Sequence, residues 1–113
     1  GSVRLNVGGN LTINGTVTVA TSDQSSRSGA AGSIWFTCAE LLGEGTGALD
    51  ASAGCSDISF SGGGGRIAVH LTEATDFSNW HGTMKANGGA WKNSYKYYPI
   101  LACYTIHQTK VLL

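Results

Sequence analysis

GSIWFTC (residues 32–38) and GRIAVHL (residues 65–71) each set an alternating apolar run directly behind glycine, and three more glycines at 62–64 lead the second run. Ile34, Phe36 and Cys38 alternate with Ser33, Trp35 and Thr37, and Ile67, Val69 and Leu71 alternate with Arg66, Ala68 and His70. This period of two is the signature of a strand with one buried face. The run SVRLNV (residues 2–7) has the same pattern, so the motif starts at Ser2, Ser33 and Arg66, with spacings of 31 and 33 residues.

A second block follows each first one. Ile13-x-Gly15-x-Val17-x-Val19 is answered by Gly45-x-Gly47-x-Leu49-x-Ala51 and then by Trp80-x-Gly82-x-Met84-x-Ala86, with spacings of 32 and 35. No window carries apolar residues at i, i+3, i+4 and i+7 for a long helix, so the chain is expected to be all β. Each unit then reads as strand, loop, strand, glycine-rich loop, and variable loops on constant strands are what a stacked repeat tolerates.

Stacking sets equivalent residues one above another at roughly 4.8 Å. Val3, Ile34 and Ile67 are expected in one inward column, Leu5, Phe36 and Val69 in a second, and Val17, Leu49 and Met84 in a third. Arg4, Trp35 and Ala68 share an outward column. So do Thr18, Asp50 and Lys85, where a cross-rung ion pair between Asp50 and Lys85 is open. Trp80 falls inward with Ile13 and Gly45, filling the space that glycine leaves. The alternative architecture is an antiparallel β-sandwich, which has less need of one two-strand unit three times over.

The runs GSIWFTCAELLGEGTGALDASAG and SGGGGRIAVHLTEATDFSNWHGTMKANGG resemble the glycine-rich repeats of large extracellular or cell-surface proteins. The resemblance covers residues 1–89 and is best from Gly32 onward. It implies a right-handed parallel β-helix, here a β-solenoid fragment of about three coils (1–31, 32–64 and 65–89), and brings no catalytic residue with it. After residue 89 the pattern breaks. All 17 glycines lie at or before Gly89, and the four tyrosines and the only proline lie in the last 19 residues. Residues 90–113 are therefore an atypical tail or a C-terminal cap, with the segment 98–103 at the spacing of a fourth strand.

Composition bounds the function. Seven basic residues balance seven acidic ones in 113, and charged residues are only 12% of the chain, so bulk electrostatics favours neither nucleic acid nor anionic membrane. No run approaches a membrane span, so no membrane insertion is expected. The glycines fit neither G-x-G-x-x-G nor a P-loop, and no long helix follows them, so no nucleotide cofactor is expected. Aspartates do not repeat in the turns as calcium-binding β-rolls require, and Cys38, Cys55 and Cys103 lack C-x-x-C spacing, so no metal is expected. Cys38 and His70 fall on opposite faces of the wall, which removes a thiol–imidazole pair.

Three readings follow. The first is a non-catalytic structural or adhesive module of a larger extracellular protein, whose partners are neighbouring coils or chains. The second is a carbohydrate-binding module, with Trp35 and Arg4 as candidate glycan contacts through stacking and a cation–π pair. The third is the remnant of a pectate-lyase-like enzyme, which requires Asp50 or Glu44 in a cleft beside a second carboxylate or a basic group. In an oxidising compartment Cys38 is expected to pair with Cys55, since a strand and its following loop meet within one coil. Asn10-Leu11-Thr12 and Asn14-Gly15-Thr16 are N-glycosylation sequons with both asparagines outward.

Overall fold

The computed structural model describes residues 1–22, 29–56 and 62–89, together with the backbone of a strand at 110–112. Nine strands are assigned: β1 (Ser2–Asn6), β2 (Leu11–Thr12), β3 (Thr16–Thr18), β4 (Ser33–Cys38), β5 (Leu41–Leu42), β6 (Ala48–Asp50), β7 (Arg66–Leu71), β8 (Thr83–Lys85) and β9 (Lys110–Leu112). There is no helix among the described residues, hence none long and apolar enough to cross a membrane.

The strands form three sheets in the orders β1-β4-β7-β9, β2-β5 and β3-β6-β8. Every ladder is parallel. This removes the antiparallel sandwich, because a hairpin would bring consecutive strands together, whereas here neighbours are a full circuit apart in sequence. The chain visits the sheets in one order: β1, β2, β3, then β4, β5, β6, then β7, a bridge between Gly43 and Trp80, and β8.

The register carries the alternating pattern unshifted from rung to rung. Val3 pairs with Ile34 and Ile34 with Ile67; Leu5 pairs with Phe36 and Phe36 with Val69. Val17, Leu49 and Met84 align in the third sheet. Since a one-residue slip would turn each apolar set outward, burial of one face pins this register. Backbone hydrogen bonds continue it around the corners, as from Val7 N–H to Thr37 O, Ile13 N–H to Leu42 O and Val19 N–H to Asp50 O.

The core sits in the second and third circuits. Ile34, Phe36, Leu41, Leu49, Ile67 and Val69 are buried, each such side chain contributing about 1.5–3 kcal/mol by leaving water. Val3, Val7, Leu11, Ile13, Val17 and Val19 pack against that core but stay half-buried, and Leu5 is exposed. The cause is position: among the described residues no strand lies beyond β1, β2 and β3.

One expectation needs correction. The second-block alignment is wrong by two residues at one point, because Ile13 N–H bonds to Leu42 O and Gly43 bridges Trp80, so Gly43 and not Gly45 shares the rung with Ile13 and Trp80. Glu44 to Thr46 form a longer turn, after which the register returns with Thr16, Ala48 and Thr83. No described glycine that precedes a strand has a positive φ. They are needed for close approach: a methyl group on Gly65 would run into the carbonyl of Gly32, and one on Gly64 would lie 2.7 Å from Asn87 carbonyl carbon. Finally, the strand that follows β7 in its sheet is β9, with Ala68 opposite Val111. The segment 98–103 lies outside the described residues.

Candidate functional site

Two depressions are formed by the described residues on the outer surface. The first lies on the outer face of the β1-β4-β7 sheet, where alternation turns Arg4 and Trp35 outward on adjacent rungs. Trp35 is 45% exposed, a large apolar area for a residue in the middle strand. The Arg4 guanidinium carbon stands 6.0 Å from the centroid of the indole, at the outer limit of a cation–π contact. Ser2, Val3 and Ser33 complete a cleft of about 210 Å³ around them. The expected glycan pair is thus brought together, with two hydroxyls that the pattern had not singled out. Their signal was available, since Ser2 and Ser33 pair directly in the register.

The second depression runs across β2, β5 and the turn before β8, with a volume of about 320 Å³, and is lined by Thr12, Asn14, Glu44, Asn79 and His81 among others. Asn14 Oδ1 accepts a hydrogen bond of 2.9 Å from Glu44 N–H, tying the first circuit to the second. Asn79 Nδ2 donates to Glu40 Oε1 across the next rung. Glu44 and His81 line the same groove. Sequence reasoning missed this pairing because it placed Gly45 where Gly43 stands, which hid the neighbours of Glu44.

Asp50 does not serve in either depression. Its Oδ1 accepts from Ser52 N–H at 3.0 Å, and among the described residues it forms no ion pair with Lys85, although the two are register partners. A local turn has taken the carboxylate that the ion pair would use. In the exposed turn after β7, Asp76 is held below the usual carboxylate range by the hydroxyl and N–H of Ser78.

The cysteines correct a further expectation. Cys38 is buried and free, and Cys55 is disulfide-bonded elsewhere, so the Cys38–Cys55 pair does not form. Cys38 ends the six-residue β4, whereas Cys55 follows Ala51, whose carbonyl accepts from Gly65 N–H at the entrance to the adjacent β7. Burial pushes the Cys38 thiol pKa up. As expected, Cys38 faces in while its neighbour in the next rung but one residue back, His70, faces out.

Asn10 and Asn14 are both exposed. Asn10 lies in the turn before β2, and Asn14 is the groove residue that holds Glu44 N–H. Trp80 is not a surface aromatic. It packs against the core and over glycine backbone, its Cζ2 2.6 Å from where a Gly82 methyl would stand and its Cζ3 in the space a Gly43 methyl would need. Its Nε1 is buried without a partner among the described residues. No cluster of three or more His, Cys, Asp or Glu suited to a metal occurs among the described residues. No family model, curated protein or solved structure matches the chain.

Proposed function

We propose that the chain is a right-handed parallel β-solenoid segment of about three coils, acting as a non-catalytic structural or adhesive module of a larger extracellular or cell-surface protein. The observation that carries the reading is the unshifted register across three sheets visited in one order. Such stacking supplies continuous backbone ladders and apolar columns, which make a stiff rod whose outer faces are free to vary. Antibody raised against the chain tests the location: staining of intact cells that express the parent protein is expected, and staining confined to permeabilised cells overturns it. Turnover of a polysaccharide that disappears in Glu44→Gln would overturn the non-catalytic part, since Glu44 shares its groove with His81.

A second reading is favoured by the cleft at Trp35. An indole nearly half exposed, flanked by a guanidinium and two hydroxyls, is suited to stack on a sugar ring while hydrogen-bonding its substituents. A carbohydrate-binding role for this face is compatible with the structural one, since adhesion requires a contact surface.

A further inference from the structure

Charge is unevenly distributed over a chain whose net charge is zero. Strands β1, β4 and β7 carry Arg4, Arg66 and His70 and no carboxylate. All three side chains are exposed. The described carboxylates lie elsewhere: Glu40 and Glu44 near the second groove, Asp50 on the third sheet, Glu73 and Asp76 in the turn after β7. One outer face is therefore cationic, although the whole molecule is not.

The register puts the two arginines around the Trp35 cleft. Arg4 is the partner of Trp35 one rung to one side. Arg66 is the partner of Ser33, which lines the cleft, one rung to the other side. Adjacent rungs are roughly 4.8 Å apart, so the two guanidinium-bearing positions bracket the Trp35 rung within the span of a few sugar units. The cleft is smaller than the roughly 300–1,000 Å³ usual for a drug-sized ligand, and so suits one ring of a longer polymer lying across the sheet. Guanidinium groups match carboxylates by paired N–H donors, a geometry that a neutral sugar does not use.

We infer that this face binds a carboxylated polysaccharide, with one uronate ring stacked on Trp35 and its carboxylate, or that of a neighbouring unit, held by Arg4 and Arg66. The inference rests on the glycan-binding reading of Trp35 and adds the charge class of the ligand. Charge complementarity selects the occupant, and exposed phosphates without a ring to stack are the competing chemistry.

Titration of the intact 113-residue chain with alginate oligosaccharides, with neutral cello-oligosaccharides of equal length and with oligothymidylate tests it. Alginate is expected to bind at least tenfold more tightly than either, and to weaken as salt rises. Trp35→Ala is expected to reduce alginate affinity at least tenfold, and Arg4→Gln with Arg66→Gln at least fivefold, with each variant still folded at the titration temperature by circular dichroism. Equal binding of acidic and neutral sugars overturns the charge assignment while leaving glycan binding in place. Absence of binding to any sugar at millimolar concentration overturns both, and oligothymidylate bound as tightly as alginate, or alginate binding unaffected by the double Arg substitution, overturns the uronate assignment.

Discussion

Trp80 lies over Gly43 so closely that no side chain fits at position 43: a methyl group there would stand 2.6 Å from indole Cε3 and also meet the carbonyl of Ile13. The bulk of one rung fills the space left empty in the rung before it. Gly43→Ala is expected to destabilise the fold by about 1–3 kcal/mol, because overpacking forces backbone or ring to shift. Gly45, two residues on, has nothing within 4 Å of its added methyl and no positive φ. Gly45→Ala is expected to leave stability unchanged or raise it by up to about 1 kcal/mol. Denaturant midpoints of the two variants check both, and equal effects would contradict the register.

The strand columns were legible in the sequence because alternation has only two phases, and one of them buries Ile34, Phe36, Ile67 and Val69 together. The turn before β6 was not. Glycine occurs at 43, 45 and 47, so a period-two pattern reads equally well in two registers there, and only the longer turn at Glu44 to Thr46 tells them apart. The Trp35–Arg4 pair was legible for the same reason as the columns. The second groove was hidden by the slip at Gly43. The cysteine pairing failed on a different count: nearness in sequence did not bring Cys38 and Cys55 together.

Phe36 and Trp35 are adjacent in sequence and opposite in environment, the first fully buried and the second 45% exposed. Phe36→Ala is expected to cost about 3–5 kcal/mol through lost transfer energy and a cavity. Trp35→Ala is expected to cost less than about 1 kcal/mol, the worth of an exposed cation–π contact. Thermal melts of the pair of variants measure the contrast.

Cys38 gives a pH dependence with a definite sign. Burial disfavours its thiolate, so its folded pKa lies above its unfolded one. Its contribution is therefore complete below the unfolded value, about 8.5, and is lost as pH rises through the folded one. Urea unfolding at increasing alkaline pH is expected to show a steeper loss for the native chain than for Cys38→Ala. Alkylation without reductant is expected to label Cys38 only after denaturation and to leave Cys55 unlabelled throughout.

Asn14 links two circuits through Glu44 N–H. Asn14→Ala removes that acceptor and is expected to cost about 0.5–1.5 kcal/mol, toward the lower end because the bond is exposed. Asn14→Asp keeps an acceptor oxygen and is expected to recover most of that loss, which differential scanning calorimetry on the three proteins would resolve.

Parallel pairing in every ladder also gives the molecule a direction. The edge formed by β1, β2 and β3 is chemically unlike the opposite edge formed by β8 and β9, so sheet continuation in the same strand direction can join only unlike ends. A contact of that kind has no twofold axis to close it, and repeated, it adds members along a line instead of completing a ring. Self-association through these edges would therefore yield fibres of open-ended length, and the half-buried valines of the first circuit are the surface from which they would grow.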